Sequence, residues 1–427
     1  MSATFAFFPR RRFLPLFITQ FLGAFNDNLL KTAFLVMVSY AGLGFAGLPA
    51  AQIVNLASGL FILPFFLFSA TAGRLAERLD KARIARWVKL SELGIMLLAA
   101  MGFYARNVPL LLLALFLMGV HSTFFGPIKY AMLPQHLRRD ELIGGNGLIE
   151  MGTFIAILLG QMAGSLLVGQ PVWVTVALLG AAALAGWFSS RQIPPAPASA
   201  PDLPLHLNLW RDTRSLLAQA RQLPPVWTAI LGISWFWLLG AVYLTQLPTF
   251  TRLHLGGDAQ VYTLMLATFS LAIGAGSLLC ARLSHHQLRL GWVSVGLLGM
   301  TVAGLDLFAA SHARHTGALL DMGTFLARPQ AWRVIADFAL LGAFGGLFTV
   351  PLYTWLQTAS PETFRAQAIA ANNIVNGLFM VAAAAFSGLL LAWLDSIALL
   401  FLLVALSNLL ALLALGWRER QLWCWRG

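Results

Sequence analysis

Phe125-Gly126-Pro127-Ile128-Lys129-Tyr130 is followed by Arg138, Arg139 and then Asn146, and this stretch has an echo: Phe348-Thr349-Val350-Pro351-Leu352-Tyr353, followed by Arg365 and then Asn372-Asn373. The proline-to-asparagine spacing is 19 residues in the first copy and 21 in the second. Each copy starts within an apolar run of about 20 residues, long enough to cross a roughly 30 Å hydrocarbon core as a helix. Working outward in both directions, such runs fall near 13–43, 51–72, 84–105, 108–134, 143–168, 171–189, 225–250, 260–284, 290–311, 333–357, 367–393 and 397–417. The two copies therefore occupy the fourth and the tenth run, corresponding places in two sets of six.

Composition agrees with a chain dissolved in lipid. Of 427 residues, 59% are hydrophobic and 10% charged, with a mean hydropathy of +0.77; a water-soluble domain of this length needs far more charge on its surface. A closed β-barrel would show short alternating segments, whereas these runs are long, continuous and studded with Gly and Ala, which let helices pack closely in lipid. The expected fold is an all-α polytopic membrane protein with about twelve transmembrane helices in two six-helix halves.

The formal charge of +12 raises the question of nucleic acid, and the placement of the basic residues answers it. With the N-terminus inside, the cytoplasmic segments hold 20 Lys and Arg and the opposite side five, Arg106, Arg252, Arg314, Arg328 and Arg333, while Lys31, Lys89 and Lys129 fall inside spans. That bias puts both termini in the cytoplasm and needs no nucleic acid. The apolar stretch after the basic residues 1–12 is too long for a signal peptide and lacks a small-residue cleavage site, so the first span is expected to stay. Cys280 and Cys424 lie far apart and indicate neither a disulfide framework nor a metal site.

The longest polar stretch, Arg191 to Pro225, carries Pro194, Pro195, Pro197, Pro201 and Pro204 and divides the chain into an N-terminal half (1–190), a cytoplasmic linker (191–224) and a C-terminal half (225–427). Its later part, Leu209 to Leu223, mixes Leu, Trp, Arg and Gln and is expected to form a helix on the inner membrane surface. A repeat in register with two six-span halves is the pattern of parallel-repeat transporters, whose substrate path lies at the midplane between the halves.

Charges inside a membrane are costly and tend to face a partner, a cavity or a pathway. Asp27, Glu92, Glu150, Asp306 and Asp337 qualify, against Lys31, Lys89 and Lys129. In the first span, Asn26, Asp27 and Asn28 are consecutive, and Asp27 and Lys31 share a helix face, so two readings stand. The pair neutralises itself locally, or, since the two asparagines are then left over, Asn26, Asp27, Asn28 and Lys31 hold a ligand or ion. Lys89 and Glu92 are expected to form a local pair near the cytoplasmic end of the third span. Lys129 and Glu150 both belong in the cytoplasmic third, either as a gate that opens when the halves rock or as a permanent tie. Asp306 and Asp337 lie toward outer helix ends, in solvated or capping roles.

Gly73-Arg74-Leu75-Ala76-Glu77-Arg78-Leu79-Asp80-Lys81-Ala82-Arg83 in the second-to-third loop resembles the characteristic loop of the major facilitator superfamily, with Glu77 in place of the usual Asp. The resemblance implies the major facilitator fold and a conformational role for Gly73, Arg74, Glu77, Arg78 and Arg83 through charge contacts to neighbouring helices. Gln20 to Lys31, with Phe25-Asn26-Asp27-Asn28, together with Gly126-Pro127-Ile128-Lys129-Tyr130, looks like the lysophospholipid transporter family, most of all the form fused ahead of a lysophospholipid acyltransferase. Ser234-Trp235-Phe236-Trp237 through Gln246-Leu247-Pro248 is similar to that fused form as well. Such a resemblance implies inward movement of lysophosphatidylethanolamine-type lysolipids across the bacterial inner membrane for re-acylation, a functional link to a separate acyltransferase, and functional positions at Asp27, Asn28 and Lys129.

The chemistry of the residues suits such a ligand. A charged headgroup needs a few buried cations and amides, which Lys31, Lys129, Asn26, Asn28 and Gln246 supply, and a single acyl chain needs an apolar slot open to the bilayer. The cluster of Trp417, Trp423 and Trp425 beside Arg418, Arg420 and Arg426 has the composition of an interfacial anchor. A proton-driven exporter of drugs or amphipathic metabolites, with Asp27 or Glu150 as carrier, is the rival. An enzyme is not expected and no cofactor is called for, because His285 and His286 sit in a loop and His121 is alone in its span, with no nucleophile and base or metal cluster in sight.

Overall fold

In the computed structural model, residues 5–40, 42–45, 47–167, 169–205 and 208–423 are described. The elements are α1 (Leu14–Tyr40), α2 (Ala50–Arg78), α3 (Lys81–Tyr104), α4 (Val108–His136), α5 (Leu142–Leu166), α6 (Val172–Ser190), α7 (Leu209–Arg221), α8 (Pro224–Phe250), α9 (Ala259–Leu283), α10 (Gly291–Ser311), α11 (Met322–Leu326), α12 (Pro329–Ala359), α13 (Arg365–Leu394) and α14 (Ile397–Arg418). All twelve expected spans are present as helices, with α7 and the five-residue α11 added between them.

Eleven of these helices are apolar and long enough to cross a membrane by composition alone. The twelfth, α3, has the length but carries Lys81, Arg83, Arg86, Lys89 and Glu92. Its inner charges are absorbed inside the fold: Lys89 Nζ donates to Glu92 Oε2 at 2.5 Å and neither side chain is exposed. The pair is local, as its spacing implies, but it sits midway along α3 and not near an end.

The stretch Gly73–Arg78 is not a loop. It forms the last turns of α2, and only Leu79 and Asp80 separate that helix from α3. Leu, Ala, Glu and Arg are good helix formers, and they carry the helix on once the apolar run has ended. Asp80 then caps α3, accepting from the Arg83 backbone N–H at 2.8 Å.

Two compact units emerge. The first comprises Met1–Leu142, Ile155–Leu223 and Gln357–Ile374, and the second Ile143–Phe154, Pro224–Leu356 and Val375–Gly427. Within each, helices close on small residues. A Cβ at Gly160 would lie 2.5 Å from the Phe25 carbonyl, and one at Gly119 2.3 Å from that of Phe61, bringing α5 onto α1 and α4 onto α2. In the second unit, Gly346 meets the Ile273 carbonyl in the same way at 2.5 Å, joining α12 to α9. With no hydrophobic driving force between helices in lipid, such close backbone approach supplies the packing energy.

At one end of the second unit, Asp306 forms a two-pronged ion pair with Arg333 at 2.9 and 2.5 Å, and both are partly exposed. Asp337 differs from expectation: it is buried, at 3% exposure, one helical turn beyond Arg333 on α12. Trp417 is 87% exposed, as an interfacial anchor requires, whereas Cys424, Trp425 and Arg426 lie outside the described residues.

Candidate functional site: a polar band in the first unit

Asn26, Asp27 and Asn28 point in three directions, as consecutive residues on a helix must. Asn26 is fully buried, and its amide donates to Glu92 Oε1 at 2.8 Å and to the Leu179 carbonyl at 3.3 Å, tying α1 to α3 and α6. Asn28 returns its amide to the Ala24 carbonyl at 2.8 Å. Asp27 is partly buried; its Oδ2 accepts from Ser122 Oγ on α4 at 2.6 Å, and its Oδ1 is buried without a hydrogen-bond partner.

Lys31 does not pair with Asp27. Among the described residues no ion pair within 4 Å joins them; the Lys31 ammonium instead lies 5.7 Å from the centre of the Phe61 ring, a cation–π contact. Lys129, on α4, has its ammonium 4.8 Å from the Tyr130 ring centre. The first unit thus keeps an acid and a cation one helical turn apart without a direct ion pair between them.

His121, alone in its expected span, has a partner on another helix. Its Nε2 stands 3.2 Å from Glu92 Oε2, so Glu92 is approached by Lys89, Asn26 and His121 from α3, α1 and α4. A Cβ at Gly23 would come within 2.9 Å of the Lys89 ammonium, which shows how tightly α1 covers this knot. Sequence spacing exposes only the Lys89–Glu92 pair; the Asn26 and His121 partners come from distant helices and carry no local signal. Ser122 escapes for the same reason.

The turn between α2 and α3 forms a second polar cluster. Glu77 is fully buried, and its Oε1 accepts from the Ala366 backbone N–H in the first turn of α13 at 2.5 Å. Gly73 permits that approach, since a Cβ there would lie 2.7 Å from the Ala370 Cβ. Arg74 reaches Asp212 on α7 at 3.3 Å and the Pro204 carbonyl at 3.0 Å. Arg78 and Arg83 are exposed. Gln246, partly buried on α8, and Glu150, buried on α5, belong to the second unit. In that unit Trp237 donates to Tyr353 Oη at 3.3 Å and its ring stacks on Phe154. No group of three metal-ligating side chains occurs among the described residues.

Comparison with known proteins identifies the fold's relatives. The chain is 28% identical over 377 residues, 85% of each chain, to a protein of Cronobacter sakazakii named Lysophospholipid transporter LplT. It is 27% identical to the protein of that name from Escherichia coli, covering 84% of this chain and 83% of the relative. In three dimensions it resembles the human organic anion transporter MFSD10 (TM-score 0.73, 15% identity, 95% and 99% of the two chains). It also resembles a bacterial homologue of the iron transporter ferroportin (TM-score 0.62, 15% identity, 95% and 99%). Residues 16–327 match the family model of the Major Facilitator Superfamily. With twelve long helices, a multi-pass inner-membrane placement and a midspan polar band, the chain is a transporter and not an enzyme, and it belongs to the major facilitator superfamily.

Proposed function

We propose that this transporter moves lysophospholipids of the lysophosphatidylethanolamine type across the inner membrane, toward the cytoplasmic leaflet, where a separate acyltransferase restores the second chain. The similarity to proteins named Lysophospholipid transporter LplT supports the reading. The observation that carries it is the separation of Asp27 from Lys31. A zwitterionic headgroup presents an ammonium and a phosphate, and α1 offers a carboxylate held by Ser122 and an ammonium held over Phe61. Had the two neutralised each other, neither would be free to exchange partners with a ligand. Asn28 and Lys129 add polar groups within the first unit, Gln246 is a further substrate-binding position in the second, and both termini lie in the cytoplasm.

Alternating access then involves the halves 1–190 and 225–427, with the linker 191–224 between them. Gly73, Arg74, Glu77, Arg78 and Arg83 bias one conformer through the end of α2, and Lys129 and Glu150 form a gate. A Lys129-to-Glu150 distance that is equal in trapped inward-open and outward-open states removes the gate.

The test is inward movement of headgroup-labelled lysophosphatidylethanolamine in proteoliposomes, with native protein, Asp27→Asn, Lys129→Ala and empty vesicles, with and without ion gradients. Native transport abolished by both substitutions is the expected result. Native rates equal to empty vesicles under every gradient overturn the reading and favour a proton-coupled exporter of amphipathic compounds.

A further inference from the structure

The chain between α6 and α8 is not a loose tether. Within the first unit it is strapped to one end of the helix bundle by contacts with α2, α3 and α4. Ala196 N–H donates to Asp80 Oδ2 at 3.0 Å, Ser199 and Ala200 N–H both donate to the Glu77 carbonyl at 2.9 Å, and Lys81 reaches the Pro197 carbonyl at 3.2 Å and Ser199 Oγ at 3.0 Å. Arg86 donates to the Ile193 carbonyl at 3.0 Å and Gln135 to that of Pro197 at 3.2 Å. The strap ends in α7, capped by Asn208 at the Arg211 N–H.

α7 has two unlike faces. Asp212, Leu216 and Ala220 are buried against the bundle, and Asp212, the helix's sole acid, is turned inward onto Arg74. Trp210, Arg214 and Arg221, at helical spacing on the opposite side, are exposed, as is the adjacent Arg211; Trp210 is 79% exposed. An outward face of three arginines and one tryptophan, with no acid, is the composition of a helix that rests on an anionic headgroup layer. The same end of the bundle carries Trp87, 54% exposed, and Arg191 stacked 5.2 Å from the Trp187 ring centre, aromatic and arginine side chains of the kind found where membrane meets water.

We propose that the outer face of α7 binds anionic phospholipid headgroups of the surrounding bilayer, and that binding holds α7 docked through Asp212 and Arg74. The inner contact gives this surface a consequence. Arg74 belongs to the last turns of α2, one turn before Glu77, whose carboxylate holds the first turn of α13. Headgroup charge on the outside of α7 thereby favours the arrangement in which α2 and α13 are joined, and a bilayer poor in anionic lipid releases it. The inference is independent of the transported substrate.

Hydrogen exchange of the α7 backbone tests it, with the full-length protein in nanodiscs of phosphatidylcholine alone or of phosphatidylcholine with phosphatidylglycerol. Each arginine near an anionic surface is worth about fivefold in binding, so three give on the order of 100-fold, reduced by added salt. In native protein, phosphatidylglycerol should slow α7 exchange, and about 0.5 M salt, roughly three times physiological ionic strength, should reverse most of the effect. The surface variant Arg211→Gln, Arg214→Gln, Arg221→Gln should lose the response. Asp212→Asn should still retain phosphatidylglycerol in native mass spectrometry while its α7 exchanges quickly in both bilayers. Equal exchange of native α7 in the two bilayers, or an undiminished response in the triple variant, overturns the proposal, and slow exchange in Asp212→Asn overturns the coupling to Arg74.

Discussion

Asn146, on α5, donates to Thr354 Oγ1 on α12 at 3.1 Å, joining the asparagine of the first sequence repeat to the helix that carries the second. The counterpart is present too: a Cβ at Gly126, beside the proline of the first repeat, would meet the Asn373 amide at 2.9 Å. Each of the two asparagines thus lies against the proline-bearing helix of the other repeat. Asn146→Ala should cost about 0.6–1.7 kcal/mol, the range for polar contacts between membrane helices, read as a lowered melting temperature in detergent. A Thr354→Val variant that adds its full separate loss on top of Asn146→Ala would show that the two residues act independently.

Glu92 is the node of the buried knot, and removing it should be worse than removing the whole pair. Glu92→Gln leaves the Lys89 ammonium buried without its counter-charge, a loss of about 3–5 kcal/mol. Lys89→Met with Glu92→Leu removes both charges, leaving mainly the Asn26 amide short of an acceptor, about 1–3 kcal/mol. Thermal melts of the single and double variants check this, and a double variant less stable than Glu92→Gln contradicts it.

How far the sequence reaches is clear from where it stops. The helices were legible because a bilayer-length apolar run has few alternatives to a spanning helix, and α3 was included despite its charges because its apolar face survives between them. The Asn26–Glu92 contact was not legible, since it joins residues 66 positions apart and depends on how α1 is rotated against α3. The same rotation sends Asp27 to Ser122 and leaves Lys31 on Phe61, a choice that the i, i+4 spacing alone leaves open. His121 has no charged neighbour in sequence on its own helix face, and its partner comes from α3. Gly73–Arg78 looked like loop because polar composition marks the edge of the membrane, not the end of a helix.

Ser122 should act on transport through Asp27, the carboxylate that it holds across from α4. Ser122→Ala removes the hydroxyl that holds the carboxylate, and hydrogen bonds to charged groups are worth about 1.5–3 kcal/mol. A lowered melting temperature together with at least roughly tenfold weaker lysolipid binding is expected. Ser122→Thr, which keeps a hydroxyl, should recover most of it; equal loss in Thr and Ala would point to a steric cause.

Glu77 satisfies a backbone N–H that a helix cannot satisfy for itself, in the first turn of α13 where the helix dipole also favours negative charge. Glu77→Ala should speed amide exchange at residues 366–369, while Glu77→Gln, which retains an acceptor oxygen without the charge, should fall between. Exchange that is the same in all three proteins would mean that the Ala366 N–H finds another partner at once.

The glycines separate into those that the packing requires and those that it does not. A Cβ at Gly276 on α9 would lie 2.0 Å from the Ala343 carbonyl oxygen on α12, a contact with backbone that no side-chain rotation relieves. A Cβ at Gly388 on α13 meets nothing within 4 Å. Gly276→Ala should therefore force α9 and α12 apart at a cost of about 3 kcal/mol. Gly388→Ala should be neutral or stabilising by about 0.5–1 kcal/mol, because alanine loses less backbone freedom than glycine when a helix forms. Both substitutions add one methyl group to a helix, so any general effect of side-chain size is common to them. Melting temperatures measured side by side isolate the part due to helix contact, and equal shifts for the two variants would mean that α9 and α12 yield to the methyl group as freely as lipid does.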